Sequence, residues 1–382
     1  MSLDLSGPRA APNGGVQIDT KKTYAILAAL VVVIAATGAA YLLTRGEDNG
    51  SNAEKATSLD SLGRPVEVPE KIDSVFCVGA CSLRLVSYFD VFDKVKAVET
   101  AGTFNTRDDQ TYYLVNKGNL SSLPQVATDA ESILALGPSL IITSTATDAG
   151  TADTLQNQTG IPVYVINANL EFGDDFYDQI TSLGKLFGEE ERAAKLNKGI
   201  ADMISEITSR SLNESTENAY ASGMFYYGGA SFLKASGNYL PFDYSNVTNA
   251  IAPAGNGQPY VITLETLVAA DPDYIFIDSI GLSDCVASMN GYIADETGLQ
   301  NVSAIENGSI FSTMVYKCYG TNWENQLINS YYVASVMNGE AFSWTFDQKA
   351  NEIIQLFYPE TTMTYSEIAD GQSGNGCGEV TL

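Results

Sequence analysis

The same short pattern of residues occurs twice in this chain, 134 residues apart. The segment "ESILALGPSLIIT" spans residues 131–143, and "ETLVAADPDYIFI" spans residues 265–277. In each copy a helical stretch stops at a proline, Pro138 or Pro272, because proline cannot donate the next backbone hydrogen bond of a helix. An apolar run follows, as in strands that are buried on both faces of a parallel sheet. A chain that builds this helix–strand unit twice is predicted to form two α/β lobes of similar construction.

The stretch between the two copies predicts a helix that joins the lobes. Apolar residues recur at helical spacing from Leu196 to Ile207, after a helix break at Gly188. The predicted fold class is therefore α/β, with two Rossmann-like lobes bridged by a single long helix. The predicted boundaries are 58–188 for the N-terminal lobe, 189–211 for the bridging helix, 212–366 for the C-terminal lobe and 367–382 for a flexible tail.

The segment 23–44 predicts a transmembrane anchor. It contains no charged residue and is long enough to cross a bilayer as a helix. Lys21 and Lys22 precede it, so the positive-inside rule places residues 1–22 in the cytoplasm. An uncleaved anchor is favoured over a cleaved signal peptide because residues 1–22 are long for the charged start of a signal peptide. Residues 45–57 then form a flexible tether, and the bulk of the chain is expected outside the cell membrane.

Two further features agree with an extracellular location. The chain has five cysteines, and Cys285 with Cys318 is the disulfide that we favour. It also has sequons for N-linked glycosylation. These sequons begin at Asn49, Asn119, Asn157, Asn213, Asn246, Asn301 and Asn307.

Charge and composition exclude several classes of function. The chain has 46 acidic and 20 basic residues, a formal net charge of −26, which argues against nucleic acid as a partner. It has no histidine, so Ser-His-Asp catalysis and His-ligated zinc are excluded. No nucleophile or nucleotide-binding motif is present. We therefore predict neither enzyme activity nor a cofactor, and an extracellular hydrolase is disfavoured.

Candidate ligand-binding residues follow the predicted strands, because ligands of parallel α/β sheets bind beyond the carboxyl ends of the strands. The segment "YKCYGTNWEN", residues 316–325, combines aromatic rings that can stack on a ligand with amides that can bind its rim. The predicted ligand-binding residues are Gly79, Cys81, Ser82, Arg107, Tyr226, Tyr227, Tyr316, Tyr319, Asn322 and Trp323. Packing of the same aromatic residues within the protein remains the alternative interpretation.

Residues 57–365 resemble a known family. The segment "SLGRPVEVPEKIDSVFCVGACSLRLVSYFDVFDKVKAVE" looks like the opening of the solute-binding proteins that feed ABC importers of iron complexes and corrinoids, with Asp60, Gly63, Arg64, Pro69 and Gly79 at the positions of the family pattern. The two repeated segments are similar to the two helix–proline–strand steps of that family. The segments "MFYYGGASFLKASGNYLPFDYSNVTNAIA" and "YKCYGTNWENQLINSYYVASVMNGEAF" look like an archaeal branch of iron-complex binders.

The resemblance implies a ligand cleft between the two lobes and small closure motions, because one rigid helix joins the lobes. It implies a monomer that captures a siderophore-like iron complex and delivers it to an ABC permease. Arg84, Arg107, Lys234 and Lys317 would supply local positive potential for an anionic complex. Three alternatives remain: a corrinoid or haem binder of the same fold, a receptor without transport, and a structural surface glycoprotein.

Overall fold

The computed structural model describes residues 56–100, 107–108, 110–144, 147–211, 217–225, 229–254, 257–372 and 376–382. The predicted anchor at 23–44, the segment 1–22 and the tether as far as residue 55 lie outside these ranges. So do Asn49 and Asn213. Within the described ranges, no helix has both the length and the apolar character needed to cross a membrane.

The first half of the described chain forms a parallel five-stranded sheet. In spatial order, its strands are β5, β4, β3, β6 and β7. The bounds are β3 Val75–Val78, β4 Val95–Glu99, β5 Gln125–Val126, β6 Leu140–Ser144 and β7 Val163–Ile166. A separate antiparallel pair, β1 Ala56–Leu59 and β2 Pro65–Val68, precedes the sheet.

The second half forms another five-stranded sheet. The strands are β8 Asn218–Ser222, β10 Thr248–Asn249, β12 Tyr274–Asp278, β13 Ile310–Thr313 and β14 Gly378–Glu379. Their spatial order is β10, β8, β12, β13, β14, and all neighbours are parallel except β13 and β14. The short strands β9 Lys234–Ala235 and β11 Tyr260–Val261 form an antiparallel pair outside this sheet.

Helices connect the strands in both halves. In chain order they are α1 Ser82–Ser87, α2 Thr111–Leu120, α3 Ala130–Leu136, α4 Ala149–Thr159, α5 Asp174–Phe187, α6 Glu190–Arg210, α7 Leu240–Tyr244, α8 Leu264–Ala270, α9 Leu282–Ala294, α10 Ser303–Glu306, α11 Trp323–Asn338, α12 Phe346–Phe357 and α13 Tyr365–Gly371. The alternation of strands and helices agrees with the predicted α/β class.

The repeated sequence pattern forms the same unit in each half. Helix α3 leads into β6, and α8 leads into β12, each through the predicted proline. Both helices are capped at the start by a side chain, Asp129 or Thr263, that accepts a hydrogen bond from the main chain. Both end at a residue with positive φ, Gly137 or Asp271. The likeness seen in the sequence therefore extends to the local structure.

The predicted flexible tail is wrong for its described residues. Helix α13 begins with a capping box at Thr364, in which side chain and main chain satisfy each other's hydrogen bonds. Strand β14 then pairs antiparallel with β13, with Phe311 opposite Glu379. This pairing fixes the end of the chain at the edge of the second sheet.

Helix α6 occupies the position predicted for the bridging helix, between the last strand of the first sheet and the first strand of the second. It is not the only element that joins the halves. Helix α11 follows strand β13 of the second sheet but packs on α6, α7 and α12. Its residues Trp323, Leu327 and Tyr331 share one hydrophobic core with residues of the first half, such as Phe176 and Leu196. The two lobes are therefore held together by a common core as well as by a connecting helix.

A buried ion pair lies within this common core. Arg84 of α1 pairs with Glu324 of α11, and both side chains are almost fully removed from solvent. The Glu324 carboxylate also accepts hydrogen bonds from the hydroxyls of Tyr88 and Tyr358. Arg84 donates further hydrogen bonds to Gln110 and Asn322. We call these six residues the interlobe network.

The ionisable groups of the interlobe network shift each other's pKa values. Burial alone would lower the pKa of the Arg84 guanidinium, but the nearby Glu324 carboxylate raises it well above its ordinary value. Burial, together with Glu324, raises the pKa of the Tyr88 hydroxyl and keeps it a hydrogen-bond donor. Neither charged side chain can be removed without leaving the other unpaired in a dry interior.

Arg84→Met is expected to lower the free energy of unfolding by about 3–5 kcal/mol, because it leaves the Glu324 carboxylate buried without a cation. Arg84→Met/Glu324→Gln is expected to recover part of that loss, since Gln keeps an acceptor for the tyrosine hydroxyls. Urea unfolding measures both. Lys198→Met, which breaks the exposed Lys198–Asp202 pair, is the control and should cost less than about 1 kcal/mol. Equal losses in the single and double variants would contradict the argument.

Candidate functional site

A cavity of about 560 Å³ lies between the two halves of the fold. Its walls include Asn169 and Glu171 from the first half, and the rest come from the second. The second-half residues are Met224, Phe225, Ser236, Asn238, Gly257, Gln258, Pro259, Tyr316, Lys317, Tyr319 and Gly320. A smaller cavity of about 330 Å³, beside Asp175 and Asp178, is lined by residues 59–182 alone. The cavity shared by both lobes is the candidate site, because it matches the cleft that the sequence predicts.

The floor of this cavity is a seam between two chain segments, 168–171 and 317–323, which we call the interlobe seam. The main-chain N–H of Thr321 donates to the carbonyl oxygen of Ala168 at 2.8 Å. The indole N–H of Trp323 donates to the carbonyl oxygen of Leu170, also at 2.8 Å. These bonds hold the loop that carries the second-lobe wall against the first lobe.

Aromatic rings form one wall of the cavity. The rings of Phe225 and Tyr319 lie 5.6 Å apart between centroids. The guanidinium carbon of Arg107, from the other lobe, lies 5.7 Å from the centre of the Tyr319 ring, within the range of a cation–π contact. Tyr319 is 42% exposed, so its ring is accessible to a ligand. Of the predicted site residues, Tyr316 and Tyr319 line the cavity, and Arg107 lies beside it against the Tyr319 ring.

Tyr316 has a different role from Tyr319. It is buried, and its hydroxyl accepts a hydrogen bond from the main-chain N–H of Leu240 at 3.3 Å. Burial, followed by the charge of Glu171, raises the pKa of the Tyr316 hydroxyl well above its ordinary value, so it stays protonated. Its ring lies 5.5 Å from the ammonium of Lys317 and supports that side chain from below.

The loop that carries Tyr319 has a strained backbone. Tyr319 has a φ of 53° and Gly320 a φ of 119°, both in the left-handed region. A bulky side chain at positive φ is uncommon and persists where the surrounding structure holds it. A Cβ atom on Gly320 would lie 2.6 Å from the Cys81 sulfur and 3.0 Å from the carbonyl oxygen of Ala168. Only glycine allows the two lobes to approach this closely.

Gly79, Cys81 and Ser82 do not line the cavity, contrary to the prediction. They form the tight turn between β3 and α1, where the Ser82 hydroxyl donates to the carbonyl oxygen of Gly79 at 2.8 Å. The Cys81 thiol is buried behind Gly320, with its sulfur 3.5 Å from the carbonyl oxygen of Thr321. Burial raises the pKa of this thiol to about 11. The turn follows a strand as expected, but the second lobe covers it.

Asn322 and Trp323 are also absent from the cavity wall, and both are fully buried. The Trp323 ring packs against Tyr88 and Phe176, with centroid distances of 6.4 and 5.3 Å. Asn322 belongs to the interlobe network. These two residues begin helix α11 and connect the lobes, so the prediction that they bind ligand is wrong for this arrangement. Tyr226 and Tyr227 lie outside the described residues.

Several cavity residues were missed by the sequence analysis. Asn169 and Glu171 follow strand β7 and would have been found by applying the strand-end rule to that strand as well. Asn238 and Gln258 lie in loops around the β9–β11 pair, and neither follows a strand of the main sheet in the sequence. No local signal in the sequence identifies those two.

The predicted disulfide between Cys285 and Cys318 is not formed. Cys285 carries a free thiol on α9, inside the apolar core of the second lobe with Leu267 and Met289. Cys318 lies in the interlobe seam, where its main-chain N–H bonds to Gly320. Cys285 therefore lies in the core of the second lobe and Cys318 in the interlobe seam, and the structure does not pair them in a disulfide. The described sequon asparagines are all exposed, and their glycosylation stays a prediction; they are Asn119, Asn157, Asn246, Asn301 and Asn307.

Two α/β lobes with a shared cavity define a two-lobed solute-binding protein. A family model described as "Periplasmic binding protein" matches residues 75–314, and the chain belongs to this family. The family consists of solute-binding components of ABC transporters, which bind small ligands and work with a permease. No curated protein sequence matches the chain.

Solved structures show the same fold. A periplasmic solute-binding protein from Veillonella parvula has 17% sequence identity and a TM-score of 0.64, covering 82% of this chain and 95% of its own. A molybdate periplasmic binding protein from Haemophilus influenzae, bound to molybdate, has 16% identity and a TM-score of 0.63, with coverages of 81% and 99%. An ABC-type Fe³⁺-hydroxamate transport protein from Saccharomonospora viridis has 18% identity and a TM-score of 0.51, with coverages of 75% and 99%.

Gly320→Ala is expected to lower the free energy of unfolding by about 1–3 kcal/mol, because the new methyl group strains the backbone and presses on Cys81 across the seam. Urea unfolding measures the change. The control is Gly118→Ala, within helix α2, where a Cβ atom meets nothing within 4 Å. It should be neutral or stabilise by up to about 1 kcal/mol. A Gly320 variant as stable as the wild type would show that the seam can open at no cost.

Proposed function

We propose that this protein captures a siderophore-like iron complex in the cavity between its lobes and delivers it to an ABC permease. The observation that carries the proposal is the aromatic wall of Phe225 and Tyr319, with the Arg107 guanidinium beside it. Ferric complexes with catecholate or hydroxamate arms present flat groups and anionic oxygens. Aromatic rings in the cavity wall, with a cation beside them, are suited to bind both.

The size of the cavity supports a chelate rather than a small oxyanion. About 560 Å³ falls within the usual range of about 300–1,000 Å³ for small-molecule sites. A water molecule occupies about 30 Å³ of liquid volume, and a tetrahedral oxyanion is only a few times larger. Amides at the rim, from Asn169, Asn238 and Gln258, can bind the polar edge of a larger ligand.

The location of the protein completes the proposal. The apolar segment 23–44 anchors it in the cell membrane as a single pass, and the lobes face outward as a monomer beside the permease. Binding shifts an existing equilibrium between slightly open and closed forms. Wide hinge motion is resisted by the common core and the interlobe network, which both lobes share.

Calorimetric titration of the full-length protein in detergent tests this function. The candidate ligands are a ferric catecholate complex, a ferric hydroxamate complex, haem, cobalamin and molybdate. We expect saturable binding of a ferric complex with a dissociation constant in the micromolar range or below. Preferential binding of haem or cobalamin would favour the alternative ligands of the same fold. Binding of none of them would favour a surface glycoprotein without a transport role.

Tyr319→Ala is expected to weaken binding of the ferric complex by about tenfold, because the ring supplies stacking area worth about 1–2 kcal/mol. The matched control is Tyr113→Ala, which removes a ring that also lies near a cation, Lys117 at 5.8 Å, but away from the cavity. The control should leave the dissociation constant within about twofold of the wild type. Titration calorimetry measures both variants. Equal effects of the two substitutions would place the ligand elsewhere.

A further inference from the structure

Lys317 and Glu171, which both line the candidate cavity, form an ion pair. The Lys317 ammonium lies 3.3 Å from a carboxylate oxygen of Glu171, and the two residues come from opposite lobes. Both side chains line the cavity. Among the described residues of its lining, Lys317 is the one cation and Glu171 the one anion.

This pair differs from the buried one in its solvent exposure. The Lys317 side chain is 33% exposed and that of Glu171 is 47% exposed, whereas Arg84 and Glu324 are 1% and 0% exposed. An exposed ion pair contributes only about 0–1 kcal/mol, since water solvates each charge well when the pair separates. Exchanging the Glu171 carboxylate for another anion therefore costs little. The interlobe network can hold the lobes without this pair.

The position of Lys317 is fixed even if its partner changes. Its ammonium lies over the Tyr316 ring, which the Leu240 main chain holds in place. An isolated antiparallel bridge pairs Lys317 with Thr321 and closes the strained turn around Tyr319. Glu171, in contrast, is nearly half exposed and has room to turn toward solvent. Lys317 is thus a held cation with an easily displaced counter-ion.

We propose that Lys317 is the charge anchor of the site and that the Glu171 carboxylate, which pairs with it, takes the place of an anionic group of the ligand. The ligand class that follows is an anionic chelate, one of whose oxygens replaces the Glu171 carboxylate on the Lys317 ammonium. This inference rests on the proposed function and narrows it from iron complexes in general to those with net negative charge.

Two single variants separate this role from a structural one. If the pair only holds the lobes together, Lys317→Met and Glu171→Gln both break it and both weaken binding. If Lys317 anchors the ligand, the two substitutions act in opposite directions. Lys317→Met then weakens binding of the anionic complex by about tenfold, because one charge-assisted hydrogen bond is lost. Glu171→Gln strengthens binding of the anionic complex by about two- to fivefold, since the competing carboxylate is gone.

The probes are two ferric complexes of similar size and different charge, the trianionic tris-catecholate and the uncharged tris-hydroxamate. Each is titrated into the full-length protein and both variants by calorimetry at physiological ionic strength. We expect the dissociation constant of the uncharged complex to change by less than about twofold in either variant. Lys198→Met and Asp202→Asn repeat the same charge changes on an exposed pair of helix α6. These two control variants measure the effect of the change in net charge alone. Because salt screens distant charges, they should shift the dissociation constant of either ferric complex by no more than about twofold.

Citrate, an iron-free anion, separates failure of this inference from failure of the proposed function. Citrate binding that depends on Lys317, without binding of either ferric complex, would support the anchor and overturn the iron-complex function. Binding of the uncharged complex alone would keep the iron-complex function and overturn the anchor. Changes in the same direction for Lys317→Met and Glu171→Gln would also overturn it. Binding of no probe to the wild-type protein would overturn both.

Discussion

The buried pairing of Arg84 with Glu324 is the interaction on which the rest of the arrangement depends. It connects α1, the first helix of one lobe, to α11, which follows strand β13 of the other, inside a core that both lobes share. Two charges in a dry interior tolerate only one relative position, since displacement would leave each without a partner. Helix α11 is thereby seated against the first lobe, and the segment before it is drawn into the interlobe seam. The shape of the cavity follows from that placement.

Two kinds of interlobe ion pair serve different purposes in this fold. The buried pair is costly to separate and sets the geometry, while the exposed pair of Lys317 and Glu171 costs little to separate and lies in the lining of the candidate cavity. The cavity lining also includes a left-handed stretch of backbone, at Tyr319 and Gly320. A rigid frame with a few exchangeable groups at one opening suits a protein that must bind a solute and later release it to a permease.

Helix α11 illustrates a limit of pattern-based prediction. Its sequence "WENQLINSYYVASVMN" mixes amides, a carboxylate and aromatic rings on all sides, so periodicity gives no buried face. Yet the residues from Trp323 to Ala334 are all buried. Several of its polar side chains are satisfied by other parts of the fold: the Asn329 amide, for example, bonds to the main chain of Met314 in both directions. Asn322 and Trp323 are predicted to bind ligand because they belong to the loop 316–325, which combines aromatic rings with amides after a predicted strand.

The sequence by itself determined the α/β class, the two helix–proline–strand units, the helix between the lobes and the family, because these depend on local periodicity, helix stops and short motifs. Tyr316 and Tyr319, chosen because they lie in an aromatic loop, line the candidate cavity, and their contact with a ligand stays a prediction. Only the tertiary structure decided which of the candidates meet at one cavity and which connect the lobes. Cys81 and Trp323 are buried by contacts across more than 100 residues of sequence, such as the bond from Trp323 to Leu170. Contacts between residues so far apart in the sequence produce no periodic pattern in it. The burial of Cys81 and Trp323 is therefore set by the packing of one lobe on the other.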